Sequence, residues 1–240
     1  MFGAALLAPS ILSAQNFIQV ESGSDPVTVP SIVKSLDTFS TFSFAYNPVT
    51  PNSICNREYG IDKMDAFSLA WNEATRITKF KPMYLGYGLG VQYSFDKDVF
   101  TKDYTGKDGS SFQNVKHEDY LRFITAKVPV ELLFRIGIPN TNIAVVPFGG
   151  FDALLHVVGK KMLSVDLGPE YGSEFTNLFN QEEFPLPLRR FNVDWHIGMK
   201  LMFNRFLIGA SYEAPIIPLY KGDDMKISSN QLNLSIGMAF

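Results

Sequence analysis

The feature that most constrains this chain is strict two-residue alternation. From Asn192 to Phe203, Val193, Trp195, Ile197, Met199, Leu201 and Phe203 fall on one face. Asn192, Asp194, His196, Gly198, Lys200 and Met202 fall on the other. A period of two puts successive side chains on opposite faces of a β-strand, so this segment is a strand with unlike faces. The last ten residues repeat the pattern, with Leu232, Leu234, Ile236, Met238 and Phe240 set against Gln231, Asn233, Ser235, Gly237 and Ala239. Met83 to Phe95 sets Met83, Leu85, Tyr87, Leu89, Val91, Tyr93 and Phe95 against small or polar residues.

Further segments alternate more loosely: Ile124 to Ile136, Val145 to Val157 and Phe206 to Tyr212, with weaker strands over Leu36 to Tyr46 and Ala66 to Ile77. Together they make eight, the smallest even number for an up-and-down barrel that crosses a bilayer. The connections alternate too. Thr78 to Pro82, Gly137 to Thr141 and the two-residue Asn204-Arg205 turn are short. Asn47 to Met64, Asp96 to Glu118, Val158 to Leu188 and Ala214 to Ser228 are long. Transmembrane barrels have this asymmetry, with short periplasmic turns and long extracellular loops.

Alternation does not say which face points inward, and a soluble ligand-binding barrel alternates as well. Two features favour lipid outside. The polar face is small, with Gly86, Gly88, Gly90, Gly198, Gly209, Ser211, Ser235 and Gly237, which suits a crowded interior. The apolar face is bulky and almost free of charge, and eight strands leave little room inside for so many large side chains. The expected fold is an all-β, antiparallel up-and-down transmembrane β-barrel. Aromatic residues at the strand ends then form girdles at headgroup level. Phe203, Phe206 and Phe240 ring the turn side; Tyr46, Tyr93, Phe95, Phe191 and Tyr212 ring the loop side.

Composition narrows the function classes. Charged residues are 19% and the net charge is −3, which gives no global footprint for nucleic acid. One cysteine, Cys55, excludes an intramolecular disulfide and reads as an incidental loop residue. Residues 1–14 are apolar and uncharged, and Ser13-Ala14 before Gln15 resembles a signal-peptidase site, although no Lys or Arg precedes Lys34. The expected organisation is a signal peptide over 1–14, a periplasmic segment over 15–31 and the barrel over 32–240. No stretch of about 20 apolar residues exists, so a membrane crossing here requires a closed barrel.

The chain resembles the PorT-like group of outer-membrane β-barrel domains. The resemblance rests on Val128-Pro129-Val130, on Val146-Pro147-Phe148-Gly149-Gly150-Phe151, on the hairpin Ile197 to Tyr212 and on the ending LNLSIGMAF. It covers roughly Met83 to Phe240 and is weak over the N-terminal third. It implies a barrel of about eight strands in the outer membrane of a Gram-negative bacterium, with lipid as surroundings. It also implies that Phe240 is read by the barrel-insertion machinery. It implies no catalytic residue.

The candidate site is the set of charges expected to face the lumen: Lys127, Glu131, Arg135, Asp152, His156, Asp194, His196, Lys200 and Glu213. Counting back from the turns puts Lys127 opposite Asp152, His196 opposite Glu213 and Lys200 opposite Gly209. Paired charges that make a narrow barrel solid, or a selectivity lining for a small pore, both fit. An enzyme needs a base beside a nucleophile. His196 beside Glu213 could be an oriented base, but no Ser is placed as its nucleophile. Metal-ligand spacing and cofactor fingerprints are absent from the sequence. The expected function is therefore non-enzymatic: envelope structure or surface interaction through the outer loops, with an unknown partner. A narrow channel or small-ligand barrel is the alternative. In the long loop, Phe175, Leu178, Phe179 and Phe184 are expected to meet a partner or to cover the barrel mouth.

Overall fold

The computed structural model describes residues 37–52, 63–77, 82–105, 109–166, 171–183, 187–221 and 226–240. The expected signal peptide, the 15–31 segment, Cys55 and Phe184 lie outside them, as does the side chain of Phe175. Nine principal strands are present: β1 Thr38–Tyr46, β2 Asp65–Arg76, β3 Met83–Thr105, β4 Ser111–Phe134, β5 Ile143–Asp166, β6 Tyr171–Asn177, β7 Phe191–Phe203, β8 Phe206–Pro215 and β9 Ser229–Ala239. Eight of them, all but β6, run antiparallel to their neighbours in sequence order, and β9 pairs back onto β1 from Thr41↔Ala239 to Tyr46↔Leu234. The sheet is therefore closed, which leaves no open edge at the level of the barrel wall. Phe240 extends this seam by exchanging backbone hydrogen bonds with Ser40.

The outward face is apolar on every barrel strand. Phe42 and Phe44, Leu69 and Trp71, Leu85 to Tyr93 in alternation, Val128 to Phe134, Phe151 and Leu155, Ile197 to Phe203, Ile208, and Leu232 to Met238 are all exposed. Along β4 the outward row runs from Ile124 to Phe134. At about 3.3 Å per residue and a tilt near 40°, that row is about 25 Å tall, the height of the apolar band of an outer-membrane barrel.

All four segments expected to be loops contain strand: Val49–Pro51 and the Tyr220–Lys221 and Lys226–Ile227 pair are short, and the other two segments carry long extensions of the wall. Asp96 to Thr105 continues β3, and Ser111 to Glu118 begins β4, so the barrel wall carries on as a hairpin beyond the apolar belt. Val158 to Asp166 continues β5 and pairs with β6. These extensions have polar side chains on both faces, so they lack the period-two contrast that marks the parts with an apolar exterior. Ladder hydrogen bonds hold them as strands, with Val115, His117 and Ser164 buried on the inner side.

Thr78 to Lys81 lie outside the described residues; the other two expected short turns are in place but not both in register. Phe203 pairs with Phe206 across the two-residue Asn204-Arg205 turn, with Asn204 at φ 53°. Asn tolerates this left-handed conformation better than most residues. Between β4 and β5 the turn is centred one residue later than expected. Pro139 is followed by Asn140 at φ 58°, and Thr141 N–H donates to the Ile138 carbonyl. This is the Pro, then positive-φ Asn order that a type II turn favours. The shift moves Lys127 from Asp152 to Leu154 and puts Asp152 opposite Pro129.

The wall also explains its glycines locally. A Cβ on Gly198 would sit 2.5 Å from the Ala210 carbonyl oxygen and 2.7 Å from the Phe148 ring. Backbone cannot yield as a flexible side chain can. Gly198→Ala is expected to destabilise the barrel by about 1–3 kcal/mol, measured as the shift in a urea unfolding curve.

Candidate functional site

The inward face forms layers. At the turn side, Phe39, Tyr84, Leu133, Val146, Met202 and Leu207 make an apolar floor. The Phe39 and Tyr84 rings meet edge-on at 5.2 Å, and Arg135 lies over Phe39 at 5.9 Å. Arg135 is therefore part of this floor and not of the ion pairs above it.

The next layer is ionic. Lys127 Nζ lies 2.6 Å from Glu213 Oε1 and 3.2 Å from Asp152 Oδ2. Lys200 Nζ lies 2.8 Å from Glu131 Oε1 and 4.2 Å from the centre of the Phe148 ring. His196 bridges the two pairs, with Nδ1 at 2.7 Å from Asp152 and Nε2 at 3.6 Å from Glu131. Gln231 also donates to Glu213. These six ionisable side chains come from four barrel strands, so each contact ties the wall across the lumen. Interaction between opposed charges is stronger in such a low-dielectric interior than in water. Charges so placed are held mutually, because removing one leaves its partner buried alone.

The backbone pairs His196 with Glu213 and Lys200 with Gly209, as expected. The side chains do not follow the backbone. His196 turns to Asp152 and Glu131, not to Glu213, which corrects the expected oriented base. Lys127 still reaches Asp152, but diagonally. A cavity of about 80 Å³ lies within this layer.

Above the ions sits a polar layer of which sequence reasoning singled out only His156 and Asp194. Asn47 donates to Ser68 at 2.9 Å, and Gln92 donates to Ser94 and Gln231 at 3.1 and 3.2 Å. Asp194 and His156 belong here. His156 Nδ1 shares a hydrogen with Thr125 Oγ1 at 2.8 Å, and no carboxylate pairs with it among the described residues. Inward parity was the available signal for Gln92, Asn192 and Gln231; neutral amides simply carry less weight than charges in a sequence.

The loop side is capped. Leu178, Leu188 and Ile227 come from the connections after β6 and β8 and are fully or almost fully buried. They pack on Val49, Met64, Leu121 and Phe123, with Phe179, Leu219 and Tyr220 against them. Leu178 and Phe179 thus cover their own barrel. The cap loop is pinned by Glu183, which accepts from Asn177 N–H at 2.6 Å and from Asn180 Nδ2 at 2.9 Å. The Asn177 backbone N–H and the Asn180 amide hold the Glu183 carboxyl below the usual carboxylate range.

On the exterior, Tyr46 donates to Asp65 at 2.5 Å and its ring meets Phe67 at 5.4 Å. Phe67 continues to Phe95, and Phe95 to Tyr93. Trp195 and Tyr212 meet at 5.9 Å. Phe191, Phe203, Phe206 and Phe240 are exposed, and Phe240 stacks on Trp71 at 6.3 Å.

Fold and lumen define a small closed β-barrel with an apolar exterior and a filled, capped interior. No protein-family model matches the chain, and no curated protein matches it. Among solved structures it is similar to Ail, the attachment invasion locus protein of Yersinia pestis, at 15% identity over 85% of this chain and 100% of that one, with TM-score 0.41. It is similar also to Neisserial surface protein A, at 11% identity, 85% and 98% coverage and TM-score 0.39. The N-terminal β-barrel domain of Pseudomonas aeruginosa OprF matches at 9% identity, 85% and 98% coverage and TM-score 0.31.

Proposed function

We propose that this chain is an integral outer-membrane β-barrel of a Gram-negative envelope, without chemistry of its own, that serves envelope structure or surface contact through its loop-side hairpins. The continuous apolar exterior carries this reading. In water such a belt would be a large aggregation hazard; in a bilayer it is solvated by hydrocarbon. The β3–β4 hairpin supports the surface role. Phe95 to Thr105 rises about 30 Å along the strand at roughly 3.3 Å per residue and carries Lys, Asp and Thr into solvent.

The finer parts of the proposal follow from it. The chain is a PorT-like barrel. Residues 1–14 direct export and 15–31 lie in the periplasm. Phe240 is the signal read by the insertion machinery. Tyr46, Tyr93, Phe95, Phe191 and Tyr212 sit at one headgroup level, and Phe203 and Phe206 at the other. The ion pairs of the lumen act as a plug.

Two measurements test this. Folded protein in detergent is expected to run differently on a gel before and after boiling. In planar bilayers it is expected to show no steady conductance, because floor, ion layer and cap lie in series. A steady open state would replace the plug with a pore; solubility without detergent would remove the membrane reading altogether.

A further inference from the structure

Four carboxylates face the lumen, Glu131, Asp152, Asp194 and Glu213; three bases, Lys127, Lys200 and His196, stand in the ion layer, and Arg135 lies lower, over Phe39 in the floor. The ion pairs above use the three bases of that layer and three of the acids. Asp194 is left over. It is 8% exposed, and no cation lies within ion-pair distance of it among the described residues. The ammonium of Lys127 is already held by Glu213 and Asp152.

Asp194 lines a cavity of about 50 Å³ between the ion layer and the cap. Two further side chains line it with unused capacity. Asn192, two residues earlier on the same face of β7, is 2% exposed; its Nδ2 donates to the Ile217 carbonyl at 3.1 Å, and its Oδ1 is buried with no partner. His156 is 9% exposed, and its Nε2 is buried with no partner among the described residues. With Nδ1–H donating to the Thr125 hydroxyl, Nε2 keeps an unused lone pair on a side chain that lines the cavity. Val49, Met64 and Leu219 give the opposite side an apolar surface.

We infer that this cavity is a binding site for a short primary alkylammonium. The carboxylate, the amide oxygen and the imidazole nitrogen are all acceptors, which calls for a guest that donates. The Asp194 carboxylate, with no cation at ion-pair distance among the described residues, calls for a cation. An ammonium group supplies three donors and one charge, and a short alkyl tail meets the apolar roof. A metal ion fits less well: among the described residues no group of three or more His, Cys, Asp or Glu is placed to hold one. Size sets the limit. At roughly 10–15 Å³ per water-sized position, the cavity holds a guest of about three to five non-hydrogen atoms. The floor and ion layer close the end below the cavity, so a guest is held there and not passed through. This inference does not depend on where the barrel resides.

The test is calorimetric titration of the intact, detergent-folded barrel with ethylammonium chloride. Saturable one-to-one binding is expected, absent for ethanol, which lacks the charge, and for tetraethylammonium, which lacks donors and exceeds the cavity. Asp194→Asn is expected to weaken binding at least about tenfold. Asn192→Leu, which leaves every ion pair intact, is the second variant if the first fails the gel-shift test of folding. No saturable heat, equal heat from ethanol, or binding unchanged in both variants overturns the site.

Discussion

Lys127→Met is expected to destabilise the barrel by about 3–5 kcal/mol, the cost of breaking a buried ion pair from one side. The loss should fall on Glu213, because Asp152 keeps His196 at 2.7 Å while Glu213 keeps Gln231 alone. The comparison with Lys200→Met follows from the same geometry. Glu131 retains His196 at 3.6 Å, so that variant should lose less. The double variant Lys127→Met with Glu213→Gln removes the orphaned charge and should be more stable than Lys127→Met. Urea unfolding of lipid-refolded protein, followed by tryptophan fluorescence, reads all three. Strictly additive losses would mean that the ion layer does not act as a coupled unit.

This layer was partly legible in the sequence. Parity placed Lys127, Glu131, Asp152, Asp194, His196, Lys200 and Glu213 on one face, and parity survives a register error of two residues, because the side-chain period is two. Partners do not survive it. The turn at Pro139-Asn140 moved the β4–β5 register, and long side chains then reached diagonally. That is why Lys127 meets Asp152 without standing opposite it, and why His196 serves carboxylates on β4 and β5 instead of its neighbour on β8. Arg135 and His156 had the right parity but the wrong height, and height depends on strand tilt, which no alternation pattern encodes.

The eight barrel strands were legible because the wall differs on its two faces, with bulky apolar side chains outside and small or polar ones toward a crowded lumen. Where the wall leaves the belt, the contrast goes. Asp96 to Glu118 therefore reads as loop in sequence, although it forms the hairpin of β3 and β4. The cap was half visible in Leu178 and Phe179, whose burial requires Leu188 from later in the same connection and Ile227 from the connection after β8.

The exterior carries the second large effect. Leu89→Arg is expected to cost about 2–4 kcal/mol in a bilayer, the range for a cation near the midplane of a lipid-facing strand. Leu89 is 69% exposed and stands midway along the outward row from Leu85 to Tyr93. It touches little protein, so a loss of that size cannot come from packing. Val99→Arg on the same strand lies beyond the aromatic Tyr93 and Phe95, next to the Lys97 and Glu118 level. There the same change should fall within about 0.5 kcal/mol, as for an ordinary surface position. The pair of values, measured by urea titration in vesicles, maps the hydrocarbon boundary along β3. If both positions lose equally little, the outward face of β3 meets water at Leu89 as it does at Val99, and the apolar belt requires a protein cover in place of lipid.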